Sequence, residues 1–361
     1  MRNKAFNSDM LLIARSARGL SQEEAASRVR GLSQPTYSRI EAGLRAPSLD
    51  EVEAISAALE FKTSFFFHPF QRRQMPVLFH RKRQKLATRD WERIFARSEI
   101  RRICVSLMMR SIRLTQKRPS PPLLEPVEAG GTAAAVATAL RQLWLLPRGP
   151  VPDVTRLLES AGIVVIPFDF GTDLLDGFSE RVQDDLPPLI FVNSRQPKDR
   201  LRFTLLHELG HIVMHRIPRP EMEEEANEFA AEFLLPQEDI RSDLYSTSLD
   251  HLVLLKPKWK ASVASLVMCA RKLNRLSPAE YEARFRDLSR RGWRTREPFP
   301  LPDDLETPRI VPQLIAAHTG PLEFSPDELV RLFGVEADDP ESLVPPLPTA
   351  PEPKLRLVIS N

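Results

Sequence analysis

Two histidines four residues apart are the part of this sequence best suited to chemistry. They begin and end the segment His207-Glu208-Leu209-Gly210-His211, which lies within an apolar pattern of helical spacing. Residues four apart on a helix share one face, so both imidazoles can bind one Zn²⁺ ion, each at about 2.0–2.1 Å. Glu208 can then act as general base toward a water molecule on the metal. The pattern predicts zinc-dependent peptide hydrolysis; the alternative is two histidines that cap a core helix.

A hydrolytic zinc site needs a third protein ligand and one open position. The acidic segment 221–236 carries an apolar stripe at helical spacing, and Glu223 lies beside that stripe, three residues before Ala226. We therefore expect Glu223 to be the third ligand, with Glu225, at the edge of the stripe, as the alternative. The other interpretation of this helix is a solvated acidic face.

Two further side chains are predicted to support the metal ligands. Asn227 lies one helical turn after Glu223 and can accept a hydrogen bond from the ring N–H of a ligand histidine. His215 lies four residues after His211, where we predict that the helix continues. A third histidine ligand would instead follow a glycine turn, six residues after the second histidine. We therefore interpret His215 as a supporting or structural residue.

A second group of residues, near the N-terminus, has the pattern of a helix-turn-helix. Ser21 and Glu24 form a capping box that opens one short helix. Ser33 caps the next helix, and Gly31 provides the tight turn between the two. The second helix of such a pair can enter the major groove of DNA. A helical bundle that contacts only proteins is the alternative.

The second of these helices is predicted to carry the DNA-contacting side chains. Its outward positions are occupied by Gln34, Pro35, Thr36 and Arg39. Glutamine can pair with adenine and arginine with guanine, and the proline ring can make apolar contacts. Gln22, at the start of the first helix, suits a phosphate contact. Tyr37 and Ile40 are predicted to be buried in the core.

The elements around these two groups predict an α+β protein. Short β-branched runs at 163–168 and 189–192 indicate strands, and Asp176-Gly177-Phe178 indicates a turn into a strand between them. Helices are predicted at 132–146, 151–160, 199–215, 221–234, 258–272, 278–290 and 325–333. Prolines at 119–126 indicate a hinge, and the proline-rich stretch 340–353 is predicted to be mobile.

These patterns predict an all-α helix-turn-helix domain followed by a zincin-like peptidase domain with a small sheet. The predicted boundaries are 8–66 for the helix-turn-helix domain, 76–146 for a basic helical connector, 150–292 for the peptidase domain, and 293–361 for a partly mobile, proline-rich C-terminal region. Between positions 81 and 118 there are 13 Lys/Arg against 3 Asp/Glu. Such a basic block can face nucleic acid or form a solvated helix surface.

Composition narrows the class of protein. Of 361 residues, 42% are apolar and 27% are charged, which is typical of a globular chain able to bury a core. The sequence contains no apolar run long enough for a membrane span and no N-terminal pattern of a secretion signal. The two cysteines, Cys104 and Cys269, are far apart, which argues against a disulfide scaffold and favours a cytoplasmic location.

Several motifs resemble known families. Residues 8 to 62 resemble the Xre/Cro-like helix-turn-helix domain of phage-type repressors, and residues 150 to 236 resemble the ImmA/IrrE family of zinc metallopeptidases. The motifs shared with the second family are Asp176-Gly177-Phe178, Ile190-Phe191-Val192-Asn193, Asp199-Arg200-x-Arg202-Phe203-Thr204 leading into the histidine motif, and the glutamate–alanine–asparagine helix that ends at Leu234-Leu235-Pro236.

The resemblance implies a cytoplasmic enzyme that uses Zn²⁺ and cleaves a folded protein partner, such as a repressor or a toxin–antitoxin component. It places the metal ligands at His207, His211 and Glu223, with Glu208 as the catalytic residue. The first domain would bind a double-stranded DNA operator, and a homodimer is expected because Cro-like domains usually bind paired half-sites. The alternative is a non-catalytic DNA-binding repressor or antitoxin-like regulator that uses the zinc fold as a sensor or scaffold.

Overall fold

A computed structural model describes residues 5–73, 86–112, 120–181 and 186–343 of the chain. These residues form two compact units. Among the described residues, the first unit combines 5–73, 89–112 and 314–343. The second unit holds the described residues 86–88, 120–181 and 186–313.

The N-terminal part of the first unit is a cluster of short helices. These are α1 (Ser8–Ala17), α2 (Gln22–Arg28), α3 (Gln34–Glu41) and α4 (Leu49–Leu59), followed by a 3₁₀ turn at Thr63–Phe67. Ser21 and Glu24 form the predicted capping box of α2, and the Ser33 side chain accepts from the N–H of Thr36 at the start of α3. Tyr37 and Ile40 are fully buried, which confirms that they belong to the core.

The basic stretch contributes a long helix, α5 (Thr88–Ser111), to the first unit. The basic block was predicted to face nucleic acid or solvent. Arg101 and Arg102 do neither, because both are buried. Arg102 pairs with Glu99 on the same helix at 2.8 Å, and Arg101 pairs with Glu341. The carboxylates neutralise the two guanidinium groups, which allows them to be buried.

The second unit contains a small three-stranded sheet. Two helices come first, α6 (Ala133–Leu143) and α7 (Val154–Ser160), and the strands are β1 (Val164–Phe168), β2 (Gly177–Glu180) and β3 (Leu189–Asn193). The strand order is β1-β3-β2, with β1 parallel and β2 antiparallel to β3. Phe178 on β2 and Ile166 on β1 both lie beside Phe191 on β3. The predicted strands are therefore present, and β2 lies at an edge.

Helices follow the sheet and build the rest of the second unit. They are α8 (Lys198–Met214), α9 (Met222–Leu234), α10 (Gln237–Ile240), α11 (Leu249–Trp259), α12 (Val263–Lys272) and α13 (Pro278–Arg290). The prediction of one helix over 258–272 is wrong, because α11 ends with Lys260 in the left-handed region (φ 51°) and Ser262 caps α12. The helix predicted to run on through His215 ends one residue earlier, at Met214.

The C-terminal part of the described chain adds α14 (Ile310–Thr319) and α15 (Pro326–Phe333). Ser325 and Glu328 form a capping box on α15, which confirms the helix predicted there. The stretch 340–353, predicted to be mobile, lies mostly outside the described residues, but Glu341 within it is buried. Within the described ranges, none of the helices has the length and apolar character needed to cross a membrane.

Candidate metal centre and DNA-binding surface

The histidine motif lies on α8, and the close packing of α8 against α9 brings an acidic side chain to it. A Cβ atom added to Gly210 would lie 3.2 Å from the Phe229 ring and 3.3 Å from the Cα of Ala226. Glycine at position 210 therefore allows the two helices to approach closely. Glu223, in the first turn of α9, consequently lies beside the two histidines of α8.

The three side chains present one ligand atom each to a common point. The Nε2 atoms of His207 and His211 are 3.1 Å apart, and they lie 3.6 Å and 3.4 Å from the carboxylate oxygens of Glu223. Ligand atoms about 2.0–2.1 Å from a tetrahedral zinc ion would be about 3.3 Å from one another. The separations between these atoms are close to that value, although the two distances to Glu223 end on different oxygens, and nitrogen and carboxylate oxygen are donors that zinc accepts.

Glu208 directly follows His207 on α8, and its side chain is held by the sheet. The residue is only 2% exposed, and its Oε2 accepts a hydrogen bond of 2.8 Å from the hydroxyl of Ser179 on the edge strand β2. Sequence analysis did not identify Ser179, because it is 29 residues from its partner and no local spacing links the two. The contact restricts where the Glu208 carboxylate can point.

Asn227 and His215, the two predicted supporting residues, each contact one cluster histidine. The contact is made at that histidine's Nδ1, the ring nitrogen that faces away from the cluster. His207 Nδ1 donates to Asn227 Oδ1 at 3.0 Å, which leaves Nε2 free of a proton. His211 Nδ1 lies 2.9 Å from His215 Nδ1, and His215 Nε2 lies 3.0 Å from Glu225. Glu225, the alternative third ligand, therefore contacts His215 and is not part of the three-residue cluster.

The protonation state of His215 determines the direction of this hydrogen-bond chain. Burial, followed by the neighbouring His211, lowers the pKa of His215 to about 3, so its imidazole is neutral. His215 Nε2–H donates to Glu225, which also pairs with Arg219 at 2.9 Å. His215 Nδ1 must then accept from His211 Nδ1–H, which directs the lone pair of His211 Nε2 toward the cluster. Partners of this kind fix the tautomer of a metal-binding histidine.

Replacing His215 with alanine is expected to weaken zinc binding about 10–100-fold, the usual effect of losing such a partner. The reason is that the His211 ring loses the acceptor that fixes its tautomer. Competition with a chromophoric chelator would measure the affinity. His251→Ala is the matched control. That histidine lies on α11 in the same unit and contacts the backbone carbonyl of Asp243, not a residue of the cluster. Equal affinities for the wild type and His215→Ala would contradict this role.

The residues predicted to contact DNA lie on and next to α3. Gln34, Pro35 and Arg39 are exposed, whereas Thr36 is partly buried and its hydroxyl contacts that of Ser33 at 2.9 Å. All three exposed side chains are thus available at the surface of the first unit.

Gln22, at the start of α2, has a partner within the first unit. Its amide donates to Glu41 at 2.7 Å, and Glu41 also binds Arg15 through two hydrogen bonds of 2.6 and 2.9 Å. Sequence analysis did not find this network, because 26 residues separate Arg15 from Glu41. It ties α1 and α2 to the end of α3 and so orients that helix.

Comparison with known protein families finds one match within each unit. Residues 158–270 match the family model of the IrrE N-terminal-like domain, a peptidase family, and residues 11–66 match a helix-turn-helix model. No curated protein matches the chain. These matches support an ImmA/IrrE-type architecture, in which an Xre-like helix-turn-helix domain precedes a peptidase-family domain.

Proposed function

We propose that this DNA-binding regulator uses its second unit as a zinc-dependent endopeptidase that cleaves one specific protein partner, such as a repressor. The observation that carries the proposal is the convergence of His207, His211 and Glu223 with the buried Glu208 beside them. In this proposal the first unit brings the protein to an operator in the cytoplasm. The partner bound there, or a component of a toxin–antitoxin pair, is then the substrate.

Each of these side chains has a distinct part in the proposed reaction. His207, His211 and Glu223 would hold the zinc ion, and Asn227 and His215 keep the histidine rings in the required orientation. When bound, zinc would lower the pKa of a water molecule toward about 7 and polarise the scissile carbonyl. Glu208, oriented by Ser179, accepts the proton of the attacking water and passes it to the leaving amine.

The test combines metal analysis with proteolysis. Purified protein is expected to contain one zinc ion per chain and to cleave the repressor or toxin encoded beside it, and chelation should stop cleavage. Cleavage that persists in the metal-free protein would contradict the peptidase proposal. Bound zinc without cleavage of any co-encoded partner would instead favour the non-catalytic alternative, in which the fold is a sensor or scaffold.

Arg39→Ala is expected to weaken binding to a selected operator duplex by about 1–3 kcal/mol if Arg39 reads a base. Arg39 is exposed on α3, where its guanidinium can reach a guanine edge. Fluorescence anisotropy with operator and random-sequence duplexes would measure the effect. A base-reading role predicts a loss confined to the operator.

The control for this prediction is Arg286→Ala, which removes the same charge from an exposed site in the second unit. Equal losses for operator and random DNA would assign Arg39 to phosphate contacts. Unchanged binding to operator and random DNA would favour a role of the first unit in protein contacts.

A further inference from the structure

The C-terminal segment 314–343, here called the acidic segment, differs strongly in charge from the rest of the first unit. It contains one arginine against seven Asp/Glu. The other described residues of the same unit, 5–73 and 89–112, contain 15 Lys/Arg against 11 Asp/Glu. With neutral histidines, the acidic segment therefore changes the net charge of the described unit from +4 to −2.

Three carboxylates of this segment are paired with cations of the other parts of the first unit. The pairs are Arg18 with Asp339, Lys62 with Glu336, and both Arg97 and Arg101 with Glu341. Asp339 and Glu341 are nearly buried, with side chains 6% and 4% exposed. Four cations of the DNA-binding unit are thus occupied by carboxylates of the same chain.

Backbone contacts hold the segment in a defined position. Gly334, just after α15, accepts a 2.9 Å hydrogen bond from the N–H of Lys62, and the Ser64 hydroxyl donates to Arg331 O at 3.0 Å. A Cβ atom at Gly334 would lie 2.6 Å from the Cβ of Phe65, and its φ is +75°. Only glycine fits there, so this is a specific docking contact and not a loose association of charges.

We propose that the docked acidic segment is an intramolecular brake on DNA binding by the first unit. DNA affinity depends on Lys and Arg side chains that replace the counterions of phosphates, and nearby carboxylates repel the same backbone. The segment occupies cations of the unit, among them the partly exposed Lys62, and its seven carboxylates add negative charge to the same unit. This inference rests on the proposed DNA binding. It adds regulation that neither the metal centre nor the DNA-binding surface needs for its own proposed role.

The first test removes negative charge without undocking the segment. Glu323→Gln, Asp327→Asn and Asp338→Asn change three exposed residues in the full-length chain. We expect this triple variant to bind a random-sequence 30-mer duplex at least threefold more tightly at 50 mM salt. The gain should shrink by 300 mM, where the Debye length is only about 3–8 Å.

The control is a triple variant with the same change in charge in the second unit, Glu282→Gln, Asp303→Asn and Asp304→Asn, all at exposed positions. A smaller gain than that of the first variant is expected. Equal gains for the two variants would mean that only total charge matters, and that result would overturn the brake.

The second test undocks the segment with Glu336→Gln, Asp339→Asn and Glu341→Gln. Hydrogen exchange should accelerate at residues 62–68, which the segment contacts, and affinity for the random duplex should rise further. Faster exchange without tighter binding would overturn the brake while leaving DNA binding in place. If neither the wild type nor any variant binds duplex DNA at 50 mM salt, the proposed DNA binding itself fails, and the brake with it.

Discussion

Glu208→Gln is expected to leave the zinc ion and the fold in place. The rate of peptide cleavage should fall by about 100- to 10,000-fold, the usual contribution of a general base. Glutamine has nearly the shape of glutamate, so it can still accept the hydrogen bond from Ser179. Its amide cannot accept the proton of the attacking water. Zinc content and the initial rate of partner cleavage, measured on the same preparation, would test both parts of this prediction.

Glu228→Gln is the matched control, since it makes the same chemical change on α9 at a partly exposed ion pair with Lys272. It should cleave the partner at the wild-type rate. A Glu208→Gln variant that also cleaves at that rate would show that the proposed mechanism is wrong. Loss of zinc from this variant would show that Glu208 is needed to form the metal site and would leave its role as base unsupported.

Glu306→Ala is expected to lower the free energy of unfolding of the second unit by about 3–5 kcal/mol, the effect of leaving a buried charge unpaired. Glu306 pairs with Arg202 of α8, and both side chains are fully buried. Glu306 also accepts from the N–H groups of Val154 and Thr155 at the start of α7. The substitution would therefore leave a buried guanidinium and two buried amides without their acceptor. Urea unfolding, followed in the presence of excess chelator, would measure the change.

Asp304→Ala provides the control, because it removes an exposed carboxylate that lies two residues before Glu306. Its free energy of unfolding should stay within about 0.5 kcal/mol of the wild-type value. A double variant, Arg202→Met with Glu306→Leu, should recover the part of the loss that comes from the unpaired guanidinium, since a buried ion pair can often be replaced by apolar side chains, but not the part that comes from the two amides. A Glu306→Ala protein as stable as the wild type would contradict the anchoring role.

Local signals predicted the elements and many of their ends. Ser21, Ser33 and Ser325 start helices because a serine side chain satisfies a backbone N–H within three residues of itself. The spacing of His207 and His211 on one helical face is local in the same sense. The prediction of a single helix over 258–272 failed although its signal, Ser262, was also local.

Contacts between distant residues could not be read from spacing. Arg202 belongs to a recognisable motif, but its partner Glu306 is 104 residues away, in a proline-rich stretch with no helical periodicity. The contact of Ser179 with Glu208 and the docking of residues 334–341 on the other parts of the first unit are of the same kind. Each depends on how separate elements pack, and no pattern within one element encodes that.

The sequence by itself determined which residue types could bind a metal or DNA, because helical periodicity and capping are properties of neighbouring residues. It also favoured Glu223 over Glu225 by helical face. Only the tertiary structure decided that the close approach at Gly210 brings Glu223 to the histidines, and that Glu225 instead contacts His215. Likewise, only packing placed the acidic C-terminal segment on the DNA-binding unit, since burial of its carboxylates requires cations from distant parts of the chain.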